Sequence, residues 1–232
     1  MGGVEATVRK RATGFRRAVL RLGLEGVRRV LCLGAHADDI EIGCGGTLLR
    51  LCAEVPDLDV RWVVLSAEGA RAAEARAGAD RFLADAGQKT VTVGDFRDAR
   101  FPAQLDRLKD FFADLAAGFE PDLVLTHRGE DAHQDHRAVA ELTWQAFRSH
   151  SILEYEIPKY EGDLGHPNVF VALSRETCRR KVDGLLEAFP SQRDKPWFTE
   201  ETFRALLRLR GVESKSPTGY AEGFTARKLL VP

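Results

Sequence analysis

The chain has 232 residues, 44% hydrophobic and 30% charged, with a formal net charge of −1. That length can bury a sizeable core, and the near-neutral balance excludes a general electrostatic pull toward nucleic acid or anionic membranes. No run of about 18 apolar residues occurs, so no transmembrane helix is expected, and no signal-peptide pattern opens the chain; a cytoplasmic location is the expectation.

In chain order, the first segment is basic, with Arg9, Lys10, Arg11, Arg16, Arg17 and Arg21, and reads as the solvated face of an amphipathic helix. Then strand-like and helix-like stretches alternate. The pattern predicts strands at 28–35, 60–67, 89–96 and 121–127, and helices at 45–55, 69–87, 103–119 and 136–150. The second helix is Ala-rich and is expected to end at Gly87. Such alternation predicts an α/β fold, a mostly parallel sheet with helices on both faces. The last third is less regular. Strands are expected at 152–160 and 168–173, and helices at 174–189 and 199–213, the last capped by Thr199 with Thr202 three residues on. No repeat or linker divides the chain, so residues 1–232 read as a single domain.

Cys32, Cys44, Cys52 and Cys178 show no C-x-x-C spacing and read as reduced, mostly buried small hydrophobes. A structural zinc site built on them lacks the paired spacings it needs.

Two polar clusters stand where strands should end: "HADD" at 36–39 after the first, and "HRGEDAHQDH" at 127–136 after the fourth. In an open parallel sheet ligands bind beyond the carboxyl ends of the strands, so the clusters can converge on one edge. Gly43, Gly45 and Gly46 would let the following helix start close against that edge. Neither phosphate cradle fits. Leu48 stands where G-x-G-x-x-G needs its third glycine, and no lysine supplies a P-loop. A metal site fits better: His36-x-x-Asp39 and His133-x-x-His136 offer imidazole and carboxylate donors, a catalytic zinc takes three such ligands and keeps one position open, and carboxylates remain to manage the proton. Read singly, each residue could be a surface group or a helix-terminal acid; together, so much charge at a sheet edge needs a reason.

"AHADDIEIGCGGT" and "EDAHQDH" resemble the two signatures of the PIG-L/LmbE-like family of zinc-dependent N-deacetylases, and the similarity covers about residues 28–150, taken as the metal-binding core, with 151–232 as the substrate-side part. The resemblance implies a Rossmann-like fold, one Zn2+ (Fe2+ or another divalent ion being alternatives) and an acetylated amino sugar as substrate. Carried over, it makes His36, Asp39 and His136 the metal ligands and Asp38 the general base for the attacking water. His133 would stabilise the oxyanion or protonate the amine, with Asp135 orienting it, and Arg71 would contact substrate. Arg128 and Asp131 are further candidates for substrate contacts, against the reading of a surface ion pair. The sequence departs from the family where Ala37 and Gln134 stand in place of common prolines; the histidines and aspartates keep their register.

The expected reaction is hydrolysis of an N-acetyl amide on an amino sugar or glycoconjugate. The alternatives are an amidase on a larger conjugate and a non-catalytic sugar-binding relative. The expected partner is a small N-acetylated sugar, with neither nucleic acid nor membrane; a homo-oligomer is compatible with the sequence. Substrate identity is sought at 95–102, at 154–168 with Tyr155, Tyr160 and His166, and at 189–198, where Trp197 and Phe198 either meet a sugar ring or close the core.

Overall fold

The structure is a computed structural model and describes residues 23, 24 and 26–229. The basic segment read above as an amphipathic helix lies outside the described residues.

The apolar run after Arg28 makes β1 (Arg29–His36), buried along almost its whole length. Its residues face both ways: Val30 and Cys32 join one hydrophobic cluster, Leu31 and Leu33 another. That is the signature of a strand covered on both faces. β2 (Asp59–Ser66) pairs with β1 in parallel from Arg29↔Asp59 to His36↔Ser66, and β3 (Gln88–Val93) continues beyond β2. On the other side of β1, β4 (Leu123–His127) and then β5 (Ser151–Tyr155) are also parallel. β6 (Val169–Ala172) and β7 (Ala221–Thr225) complete a seven-stranded sheet in the order β3-β2-β1-β4-β5-β7-β6, with β7 antiparallel to both neighbours. The mostly parallel α/β sheet expected from the alternation is the observed architecture.

Helices α1 (Asp39–Glu54), α2 (Ala70–Phe82), α5 (Arg175–Ala188) and α6 (Glu200–Glu213) contribute to the cluster on one face. Helices α3 (Leu105–Gly118) and α4 (Gln134–Ala146) cover the other. Among the described residues no helix is long and apolar enough to cross a membrane. The four cysteines are free and buried. Ser174 and Thr199 cap α5 and α6 by accepting the Thr177 and Thr202 N–H groups at 2.9 and 3.2 Å.

Three expectations are corrected. Helix α1 begins at Asp39 rather than at Gly45, so Gly43 too lies inside it and all three glycines sit within the helix rather than at its start. They are there because the helix runs against side chains. A Cβ on Gly43 would stand 2.2 Å from the Tyr155 ring, and one on Gly45 would stand 2.5 Å from Phe82. Helix α2 ends at Phe82 rather than near Gly87; the Leu83 N–H caps it on the Ala79 carbonyl at 3.0 Å. β7 is not foreseen at all, because "AEGFT" is short, interrupted by glycine, and buries a glutamate.

β7 matters to α1. Glu222 accepts the Gly46 and Thr47 N–H groups at 2.8 and 2.6 Å and the Thr47 hydroxyl at 2.5 Å. Lys181, from α5, donates to Glu222 and to the Ile42 carbonyl, both at 2.6 Å. Gly46 N–H and Ile42 C=O are partners in a regular helix. Here a buried ion pair engages both, and it satisfies the Gly46 and Thr47 N–H groups and the Ile42 carbonyl at the glycine-rich turn.

Candidate metal centre

The strand order reverses direction at β1, which has β2 on one side and β4 on the other. In open α/β sheets the crevice opens at that point. It places His36, the last residue of β1, beside the loop that follows β4.

His136 Nε2 lies 3.3 Å from His36 Nδ1 and 3.5 Å from Asp39 Oδ1, and His36 Nδ1 lies 3.4 Å from Asp39 Oδ2. Tetrahedral ligands about 2.0–2.1 Å from one ion are separated by about 3.3–3.4 Å, so the three side chains fit the corners of a site for one divalent ion. The further groupings His36–His133–His136 and Asp39–His127–His136 share these residues. His127 is the rival third ligand. It is fully buried, and its Nε2 accepts the Ala35 N–H at 2.9 Å while lying 3.2 Å from Asp39 Oδ2. That lone pair is already engaged, whereas His36 Nδ1 faces only the other donors. Burial, reinforced by the field of His136, pushes the His127 imidazole down to about 4, so it is neutral. Its ring stacks on His136 at 3.9 Å. The strand-end cluster contains His127, but nothing in its spacing distinguishes a ring that supports a ligand from a ligand.

Each ligand nitrogen has a carboxylate behind the ring. His36 Nε2 donates to Asp135 Oδ2 at 3.3 Å and lies 3.0 Å from Asp98 Oδ1. His136 Nδ1 lies 3.1 Å from Asp131 Oδ2. Asp39 is steadied by the His36 N–H at 2.7 Å. Burial alone would raise the Asp39 carboxyl, but the field of His136 and the contact with His36 help to outweigh it and hold the group well below the usual range. Carboxylate partners of this kind fix the tautomer and orientation of metal-binding imidazoles.

Asp38 adjoins the candidate ligand Asp39 without joining the donor set. It stands at the N-cap of α1 with φ 93°, in the left-handed region that a non-glycine residue enters only under constraint. Its Oδ2 is 3.1 Å from Arg71 Nη2. Burial raises its carboxyl to about 6; Arg71 opposes that shift and Asp39 adds to it. Arg71 is itself held: it donates to the Ala37 carbonyl and, at 2.9 Å, to Glu74, which in turn accepts from the Ser191 N–H and hydroxyl. The expected substrate contact is therefore a residue that grips Asp38, although it also lines the cavity.

His133 caps α4, its Nδ1 accepting the Asp135 N–H at 3.3 Å. A neutral ring so bonded carries its proton on Nε2. Burial and the fields of His136 and His36 lower its pKa, so it is a neutral donor rather than an imidazolium. The Asp135 carboxylate does not serve it: Oδ2 goes to His36, and Oδ1 accepts the Phe101 N–H at 3.1 Å. The expected Asp135–His133 pairing thus gives way to Asp135–His36, because the first turn of α4 points the carboxylate at the end of β1.

An open cavity of about 690 Å³ lies over these groups, walled by Asp38, Arg71, His133, Lys159, Tyr160 and Trp197 among others. Arg128 and Asp131 are outside it. Arg128 is buried and binds the Asp163 carbonyl, and Asp131 stands behind His136. Neither is placed to meet a ligand directly. Tyr155 is also excluded, since it is fully buried with its hydroxyl donating to the Leu33 carbonyl at 2.6 Å. Trp197 faces the cavity while its neighbour Phe198 is packed in the core. Asp98, from the loop after β3, is a further site neighbour that the sequence reading does not single out; an acidic residue in a polar loop carries no spacing signal.

Comparison with known proteins agrees with this arrangement. The family profile described as PIG-L, GlcNAc-PI de-N-acetylase, matches residues 31–147. An uncharacterized deacetylase of Escherichia coli K12, YaiS, is 31% identical over 169 residues, covering 67% of this chain and 88% of its own. The N,N'-diacetylchitobiose deacetylase of Pyrococcus horikoshii superposes with a TM-score of 0.65 at 20% identity, over 86% of this chain and 84% of its own. The 4-carboxy-2-hydroxymuconate hydratase GalB of Pseudomonas putida KT2440 superposes with 0.67 at 19%, over 88% and 98%. With both strand-end motifs inside the matched region and brought to one sheet edge, the chain belongs to the PIG-L family of de-N-acetylases.

Proposed function

We propose that the protein is a metal-dependent hydrolase that removes the acetyl group from an N-acetylated sugar or sugar conjugate. The observation that carries the reading is the convergence of His36 Nδ1, His136 Nε2 and the Asp39 carboxylate, each pair 3.3–3.5 Å apart, beside a buried aspartate that stays outside the donor set. Zinc suits two imidazoles and one carboxylate; when bound, the ion supplies Lewis acidity and a water of lowered pKa.

The chain's own groups divide the remaining work. Asp38 accepts the proton of the attacking water, a task matched by a carboxyl raised to about 6. Arg71 keeps that carboxylate in place. His133 offers its Nε2–H to the acyl oxygen as negative charge develops there. Asp38 then returns the proton to the departing nitrogen as the C–N bond breaks. One water and one amide become acetate and a free amine. The cavity volume falls in the range of small-molecule sites, and the exposed Tyr160 and the half-buried Trp197 line it with aromatic side chains suited to a sugar ring. YaiS and the chitobiose enzyme, both deacetylases by name, support the same chemistry. GalB is a hydratase on this fold, so the fold by itself does not choose the reaction.

The test is a stoichiometric one. Zinc-loaded protein is incubated with N-acetylglucosamine, N,N'-diacetylchitobiose and larger N-acetylated conjugates, and acetate and primary amine are both measured. Equal release of the two from at least one compound is expected. Absence of release from all of them, by protein shown to carry the metal, overturns the reading.

A further inference from the structure

Lys159 belongs to neither strand-end motif. It lies on the segment after β5, and its side chain is 9% exposed. Its Nζ contacts Asp131 Oδ2 at 3.0 Å and both oxygens of Asp163, at 2.6 and 2.8 Å. The Asp131 oxygen it holds is the one that lies 3.1 Å from His136 Nδ1. The other, Oδ1, accepts the His133 N–H at 2.7 Å, and Asp163 Oδ2 accepts the Ala132 N–H at 2.6 Å. Asp163, Lys159 and Asp131 thus form one hydrogen-bonded chain, which closes on the backbone of the loop carrying His136 and ends in a close contact, not a hydrogen bond, with the His136 ring. Lys159 also lines the cavity, next to Tyr160 and Glu161.

We propose that Asp131 and Lys159 are positioning residues for His136. Asp131 fixes the ring so that its proton sits on Nδ1 and its Nε2 lone pair faces His36 and Asp39. Lys159 fixes Asp131, which would otherwise be free to turn its Oδ2 away. Through Lys159 the cavity wall at 159–161 is tied to the metal centre. The assignment rests on the metal reading above and extends it to a residue from a different strand.

Metal affinity is the readout, by competition of Zn2+ between the protein and a chromophoric chelator. Asp131→Asn is expected to weaken binding by about 10- to 100-fold, the usual cost of losing a carboxylate behind a ligand histidine. Lys159→Met is expected to show a smaller loss and Lys159→Arg to restore most of it. The double variant is expected to bind within about twofold of Asp131→Asn alone, because residues acting through one chain are not additive. Thermal unfolding of the metal-free proteins controls for the fold, and if Asp131→Asn does not fold, the Lys159 pair decides. Zinc affinities unchanged in Asp131→Asn and Lys159→Met, with tight binding by the parent protein, overturn this assignment alone. A parent protein that binds no divalent ion overturns the assignment and the metal reading together.

Discussion

Asp38 is pinned from three sides: by a left-handed backbone, by burial, and by the Arg71 guanidinium. Asp38→Asn keeps the shape and removes the base. It is expected to lower turnover by about 10²- to 10⁴-fold while zinc content, measured by elemental analysis, stays that of the parent. Three residues on, Glu41 is fully buried with neither carboxylate oxygen hydrogen-bonded, and burial drives its pKa well up. A carboxyl whose folded pKa exceeds the unfolded value stabilises the fold at low pH, and that contribution fades as pH rises through the folded pKa. Glu41→Gln should therefore cost the metal-free protein nothing at neutral pH, and should flatten the loss of stability as pH rises above the ordinary carboxylate range. Urea denaturation across that rise checks it, and a destabilised neutral variant would show that a partner of the charge exists. At this scale most of the candidate site residues stand out in the sequence, because two short motifs concentrate them, while Asp98 and Lys159 do not. Their pairings do not either. Asp135 serves His36 rather than His133, and Arg71 serves Asp38, because those contacts depend on how α2 and α4 dock.

Helix α1 shows how an element is shaped by what it packs on. Gly43 sits where any side chain would enter the Tyr155 ring, and Tyr155 is locked by its bond to Leu33. Gly43→Ala is expected to destabilise by about 1–3 kcal/mol through overpacking, read as a lower denaturant midpoint at unchanged slope. Lys181→Met leaves Glu222 charged and buried without its cation, and such half-pairs cost about 3–5 kcal/mol. The strands and helices themselves were legible from periodicity, and six of the seven strands lie near where the pattern predicts them. Helix α1 was read six residues short, because three glycines argue against helix until the ring they accommodate is known. β7 was missed because its glutamate and glycine answer to α1 and α5, partners far away in the sequence.

At the scale of the whole molecule, the cavity is assembled from segments that local pattern cannot join: the end of β1, the loop after β3, the turn after β5 and the stretch before α6. Trp197 and Phe198 separate the two roles a sequence leaves merged. Trp197→Ala is expected to raise KM on an N-acetylated disaccharide by about tenfold or less, since stacking contacts of this kind are worth about 1 kcal/mol, with little change in unfolding. Phe198→Ala is expected to cost about 3–5 kcal/mol of stability as a core truncation. Reversal of that pattern would move the ligand's aromatic platform elsewhere. The Lys181–Glu222 clamp carries one more consequence. The glutamate that steadies α1 comes from β7, 176 residues beyond the Gly46 it holds, so α1 lacks this clamp until the chain has been made past Glu222. Arrested nascent chains ending short of Glu222 should therefore leave α1 far more open to protease than chains extended beyond it.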